Sequence, residues 1–245
     1  MLSTNACDLL GLSTKSLRII DGAVCGNLET SPVVRLQVYD RTTSSVGLCT
    51  ANVITKNKIL TAAHCVSGNT TTAVVSYGDA TSQQSVRVSR TKVHPKFAIQ
   101  TTATEVTAFN DVAILTLSRD LPTSISAILG SSTVTSGDTL SIFGYGVDEN
   151  GTRDFQQLRS GQMKVSDVTE SHIFAEFNGQ GSDTCQGDSG GPAFVVQGAR
   201  LAIAGIVSTG TDANCKVGDV TLFTKLSKPE ILDFIRNEAP EATIF

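Results

Sequence analysis

Apolar and polar residues alternate along much of the chain with the period of a β-strand. Val34, Leu36 and Val38 alternate with Arg35, Gln37 and Tyr39, and Val86-Arg87-Val88 repeats the pattern, which predicts half-buried strands. Val112-Ala113-Ile114-Leu115, Ala193-Phe194-Val195-Val196 and Leu201 to Val207 are short continuous apolar runs bounded by Gly, Asp and Ser, the pattern of strands covered on both faces. The period changes only near the C-terminus. There Ile231, Leu232, Phe234 and Ile235 share a helical face, Ser227 is placed to cap, and Pro229 and Glu230 suit a first turn, which predicts a helix over 228–238. Met1 to Arg18 is polar and lacks alternation, and Gly11, Ser13 and Thr14 mark it as a loose leader, so the domain proper is expected to begin near Ile19.

The chain has 245 residues, 40% of them hydrophobic and 17% charged, which is too apolar for a disordered chain and long enough for one large all-β domain or two small ones. The net charge of −4 comes without a Lys/Arg-rich run, so neither nucleic acid nor an anionic membrane is an expected partner. No apolar run reaches the length of a membrane span, and Met1-Leu2-Ser3-Thr4 lacks the apolar core of a secretory signal; any export signal is expected to have been removed or replaced. The even set of six cysteines favours disulfides formed in an oxidising compartment. Neither C-x-x-C nor paired-His spacing supports zinc.

Hydrolysis of a peptide by a hydroxyl needs a base to take its proton, an acid to orient the base, and donors for the developing oxyanion. Three stretches offer these parts: Thr61-Ala62-Ala63-His64-Cys65, Asn110-Asp111-Val112-Ala113, and Gly187-Asp188-Ser189-Gly190-Gly191-Pro192. Each alone fits an ordinary structural histidine, turn aspartate or Gly-rich loop. Together, in this order, they resemble the chymotrypsin/trypsin family of serine endopeptidases, and the resemblance extends from Arg18 to the C-terminal helix.

The resemblance implies an all-β fold: two packed antiparallel six-stranded β-barrels, roughly 19–125 and 126–230, followed by the α-helix, with residues 1–18 as leader and the site between the barrels. It gives His64 the part of general base and acid, Asp111 that of its orienting carboxylate and Ser189 that of nucleophile. The N–H groups of Gly187 and Ser189 would form the oxyanion hole. Ser208-Thr209-Gly210 resembles the edge that pairs with the substrate main chain, with Thr209 where the family usually has Trp. Asp183, Thr184, Gln186, Gly210 and Thr221 would shape the primary pocket. Asp183 stands where trypsin-like members keep an acid, which implies cleavage after Arg or Lys; Thr221 replaces the usual Gly and opens an elastase-like alternative with small residues preferred.

Arg18-Ile19 resembles an activation junction whose new α-ammonium would pair with Asp188, so the chain reads as a zymogen. Gly47 stands where many family zymogens hold a His on that carboxylate. The family pairs Cys49 with Cys65 and Cys185 with Cys215. The cysteine that would partner Cys25 is missing at Leu158-Arg159-Ser160-Gly161; Cys7–Cys25 is the simplest closure, beside two free thiols or a lipid-modified Cys7. No cofactor is implied, and Gly78 to Gln84 offers one carboxylate, Asp79, too few ligands for calcium. Asn69 and Asn150 head glycosylation sequons. Expected partners are protein or peptide substrates and protein inhibitors. The expected state is a monomer, secreted or, in a bacterium, periplasmic or in the cell envelope. The rival function is that of a catalytically silent binding protein on the same fold.

Overall fold

The computed structural model describes residues 6–17, 23–40, 42–68, 70–102, 106–131, 133–148, 151–152, 154–197, 200–212 and 214–245. A short helix α1 (Ala6–Leu9) and strands β1 (Ser13–Leu17) and β2 (Ala23–Gly26) come first. They precede β3 (Val33–Asp40), β4 (Ser45–Thr55), β5 (Lys58–Thr61), β6 (Thr70–Tyr77) and β7 (Gln84–Val93). After the hairpin β8 (Ala98–Thr101) and β9 (Val106–Phe109), strand β10 (Ala113–Leu117) closes an antiparallel barrel in the order β10-β5-β4-β3-β6-β7.

The second half contains β11 (Ala127–Ile128), β12 (Thr139–Gly144), β13 (Arg159–Val168), β14 (His172–Glu176), β15 (Pro192–Gln197), β16 (Arg200–Gly210) and β17 (Val220–Lys225). The path β13-β12-β15-β16-β17-β14 returns on itself through the β13–β14 pairing, giving a second six-stranded antiparallel barrel. Helix α2 (Pro229–Glu238) ends the fold. Lys228, rather than Ser227, precedes its first turn, and no side chain caps it.

The period-two pattern explains the barrel interiors. Val34, Leu36 and Val38 point into the first barrel with Val53, Ile59, Val75 and Leu115; Leu140, Ile142, Ala193, Ala204 and Phe223 fill the second. A third cluster draws Val33, Ile54, Leu60 and Ile114 of the first barrel against Phe143, Phe194 and Ile206 of the second, and adds Ile231, Leu232 and Ile235 of α2. This seam holds the barrels in register. Two local expectations differ: Arg35 is as covered as its apolar neighbours, its Nη1 donating to Phe155 O at 2.8 Å, and Val196, at the end of β15, is 57% exposed.

Residues 6–17 of the leader, expected to be loose, are docked. Cys7 and Leu12 lie in the seam cluster, β1 pairs antiparallel with β2, and β2 pairs with β13. Cys7–Cys25, Cys49–Cys65 and Cys185–Cys215 are disulfides. Cys7 Sγ lies 3.1 Å from Ser160 Oγ, so a leader cysteine reaches the stretch 158–161, which holds no cysteine to partner Cys25. The Arg18–Ile19 junction lies outside the described residues, as do both sequon asparagines. Among the described residues no helix is long and apolar enough to cross a membrane.

Candidate active site

Strand register brings His64 to Asp111. β10 pairs antiparallel with β5, Ala113 opposite Thr61, so the residues just before β10 face those just after β5. Asp111 is fully buried; its Oδ1 accepts the His64 backbone N–H at 2.8 Å and its Oδ2 lies 2.7 Å from His64 Nδ1. Ser208 Oγ donates to the same Oδ2 at 2.6 Å. The β16–β17 register slips between Val207 and Thr209, and this bulge aims Ser208 at the carboxylate. Burial alone would push the Asp111 carboxyl up; the His64 hydrogen bond and charge, with Ser208, outweigh it and hold it below its usual range. A carboxylate bound this way fixes the imidazole with Nδ1 protonated and Nε2 facing outward.

Ser189 is carried on a loop docked against the first barrel. Thr50 N–H donates to Ser189 O at 2.9 Å, Thr50 Oγ1 donates to Gly187 O at 2.9 Å, and Asn52 Nδ2 donates to Gly190 O at 2.8 Å. Gly190 has φ +80°, and a Cβ there would lie 2.5 Å from Thr50 O, so only glycine lets the loop approach β4. Thr50 Oγ1 also accepts the Tyr145 N–H at 3.1 Å. Among the described residues, the N–H groups of Gly187 and Ser189 donate no hydrogen bond, so both remain open to an oxyanion. Ser189 Oγ and His64 Nε2 are not hydrogen-bonded, an arrangement common before substrate binds.

Asp188 points inward. Its Oδ1 accepts Gly146 N–H at 2.7 Å and its Oδ2 accepts Cys185 N–H at 2.9 Å. A Cβ on Gly146 would collide with this carboxylate. Burial pushes it up to about 6, against those hydrogen bonds and the charge of Arg159. Arg159, itself buried, donates to Gly146 O at 2.9 Å.

The expected pocket residues divide. Thr184, Gln186, Ser189, Ser208, Thr209 and Gly210 line a cavity of about 150 Å3. Asp183 and Thr221 are absent from its lining and lie behind it, 1% and 0% exposed. Thr221 Oγ1 donates to Asp183 Oδ1 at 3.2 Å and lies 2.8 Å from Thr184 Oγ1, so the two threonines seal the acid off. Burial, then the charge of Asp219, pushes Asp183 up to about 7. Cys49 and Cys65 stand near His64, but their disulfide leaves no thiolate for a metal. His94 and His172 are buried apart from the site, with Nε2 near Glu230 O at 3.3 Å and Ala108 O at 2.8 Å respectively; burial lowers both.

Sequence reasoning missed Thr50 and Asp219. The one signal for Thr50 was a hydroxyl beside Cys49. Asp219 had only its place two residues before Thr221.

The Trypsin family model matches residues 23–235. The chain is 29% identical over 233 aligned positions to trypsin delta of Drosophila erecta, covering 86% of this chain and 87% of that protein. It is 27% identical over 249 positions to chymotrypsin-like elastase family member 1 of Homo sapiens, covering 89% and 94%, and 28% identical over 194 positions to trypsin 5G1 of Aedes aegypti, covering 70% of each.

Proposed function

The chain belongs to the trypsin family of serine endopeptidases, and from that premise we propose that it cleaves proteins on the C-terminal side of cationic residues, using Ser189, His64 and Asp111. His64 Nε2 takes the Ser189 proton as Oγ attacks the scissile carbonyl carbon. The oxyanion accepts the open N–H groups of Gly187 and Ser189. On collapse the C–N bond breaks, His64 returns the proton to the leaving amine, and an acyl-Ser189 ester remains. Water, deprotonated by His64, then frees the acid and restores Ser189. Asp111 keeps its charge throughout and stabilises the imidazolium. The observation that carries this reading is the 2.7 Å contact from Asp111 Oδ2 to His64 Nδ1 beside a serine loop with two unengaged N–H groups.

Activation follows from the same site. Cleavage after Arg18 frees the Ile19 α-ammonium, which joins Asp188 and adds a direct ion pair to a buried carboxylate that otherwise feels only the charge of Arg159 among the described residues. The three disulfides suit an oxidising, extracellular setting.

The test compares the cleaved parent, a Ser189→Ala chain and an uncleaved Arg18→Gln chain on chromogenic peptides. The parent should turn over and the other two should retain no more than about a thousandth of its rate, the residual catalysis that remains when a triad member is lost being small. Hydrolysis by Ser189→Ala at a few per cent of the parent rate would overturn the nucleophile; full activity in the uncleaved chain would overturn the activation step.

A further inference from the structure

Asp219 precedes β17 and is 2% exposed. One of its oxygens is saturated: Oδ1 accepts Thr211 N–H at 2.7 Å, Thr211 Oγ1–H at 2.9 Å and Asp212 N–H at 2.7 Å. Three donors on one oxygen complement a negative charge and fix the plane of the carboxylate. The other oxygen, Oδ2, has no hydrogen-bond partner among the described residues. Asp219 lines the 150 Å3 cavity together with Thr184, Ser189, Gly210 and Cys215. Its Oδ2 lies against Gly210: a Cβ built there would stand 3.0 Å from it, and glycine keeps that approach clear.

Asp183 has the opposite surroundings. Its Oδ1 is occupied by Thr184 N–H at 2.8 Å and by Thr221 Oγ1, and its Oδ2 is buried with no partner among the described residues. Thr184, which lines the cavity where Asp183 does not, is joined at 2.8 Å to the Thr221 hydroxyl that donates to Asp183. Two neighbouring acids thus have divergent environments. One is oriented and open to the cavity; the other is desolvated and closed off, the situation in which a carboxyl keeps its proton.

We propose that Asp219, rather than Asp183, is the carboxylate that receives the ammonium or guanidinium of the residue preceding the scissile bond. The assignment rests on the peptidase reading above and names the specificity residue of that same site. A lysine or arginine side chain in this cavity has the Asp219 carboxylate on its wall beside Gly210, whereas Asp183 is not part of the lining. The buried, half-unpartnered carboxylate gains its missing partner only from a cationic side chain, so neutral residues of similar size are disfavoured.

The experiment uses Asp219→Asn and Asp183→Asn with two readouts. Asparagine keeps the oxygen that holds the Thr211–Asp212 turn, and thermal unfolding checks that each variant folds. Calorimetric binding of benzamidinium and n-butylammonium probes the pocket without turnover; kcat/KM on peptides differing only in Lys, Arg or Ala before the scissile bond probes it with turnover. Asp219→Asn should weaken cation binding and Lys and Arg cleavage by about a hundredfold while sparing the Ala peptide. Asp183→Asn should cost less than about fivefold. A larger loss in Asp183→Asn than in Asp219→Asn overturns the assignment, as does a parent that prefers Ala to both Lys and Arg. If Asp219→Asn does not fold, Asp183→Asn alone decides, cation binding retained supporting the assignment and cation binding lost overturning it. Selective loss of cation binding in Asp219→Asn, with no peptide hydrolysed by the parent, would uphold the assignment and overturn the peptidase reading.

Discussion

Asp111 and Asp183 are about equally hidden from solvent, 0% and 1% exposed, yet they end in opposite states. At the corner beside His64, both carboxylate oxygens are engaged, by the His64 backbone, the imidazole and Ser208, and the group is held below its usual range. Beneath the pocket, one oxygen has two donors and the other none among the described residues, a second acid lies nearby, and the group is pushed up to about 7. Burial penalises charge in both places. What differs is the supply of partners, so partners and not depth decide which carboxylate works as an anion.

The sharpest way to break the comparison is to remove the charge where it is best supported. Asp111→Asn keeps the shape but presents an amide that favours the wrong imidazole tautomer, and kcat near neutral pH should fall by about ten-thousandfold. Stopped assays on a peptide cleaved by the parent would measure it. A fall of less than about a hundredfold would mean that His64 is oriented by its backbone and Cys65 alone.

Thr50 ties the first barrel to the serine loop, and its hydroxyl holds Gly187 O and the Tyr145 N–H together. Thr50→Val removes that hydroxyl at nearly constant volume, and kcat should drop roughly ten- to a hundredfold, less than the loss of an oxyanion donor itself. KM and benzamidinium binding should change less than about threefold, because the residue positions the Gly187 turn and does not line the pocket. Equal changes in kcat and KM would indicate a general loosening of the loop.

How far these features could be read in advance follows from their chemistry. The strand pattern and the three motifs are local signals; they marked His64, Asp111 and Ser189 as candidates, of which folding brings the first two to 2.7 Å, and they placed the terminal helix. The Cys7–Cys25 tie was legible as the simplest closure of the two unmatched cysteines, but the docking of residues 6–17 was hidden because its other ties are distant ones: Cys7 to Ser160 by a contact across the fold, and Leu12 in the seam. Thr50 and Asp219 were silent for the same reason, since a lone hydroxyl or carboxylate acquires a role only from what folding sets beside it. Asp183 was legible by register, but its seal was not, because that depends on Thr184 and Thr221 meeting across two segments.

A smaller effect, on stability, sharpens the contrast at the pocket floor. With Asp183 pushed up to about 7 and Asp188 to about 6, these two groups bind protons more tightly in the folded chain than in the unfolded one. The stability they contribute therefore falls as pH rises from about 4, the unfolded value, through these folded values. Asp183→Asn has no proton to lose and should be more stable than the parent at pH 8 by about 1–2 kcal/mol, with the gain vanishing near pH 4. Denaturant titrations at the two pH values measure it. Equal stability of the two chains at pH 8 would mean that Asp183 carries its charge without cost.

The least expected change comes from opening the seal. Thr221 sits in β17 opposite Gly210 in β16, and its hydroxyl joins Thr184 to Asp183. Replacing it with glycine removes both the bond to Asp183 and the bulk above it, so the cavity deepens towards a second carboxylate. Arginine reaches further than lysine and should gain more: kcat/KM for the Arg peptide should rise about three- to tenfold and that for the Lys peptide less, the range typical of a small change in pocket volume. Glycine within a strand should cost roughly 0.5–1 kcal/mol of stability, which a melting curve would register without affecting this ratio. Thr221→Ser is the control, since its hydroxyl can keep the Thr184–Asp183 chain closed and the Arg-to-Lys ratio should stay at the parent value. If the serine variant shifts the ratio as much as the glycine variant, the methyl group rather than the hydroxyl pair closes the floor. If neither shifts it, the substrate's cation never approaches Asp183 even when the way is clear, and the two acids differ in reach as well as in charge.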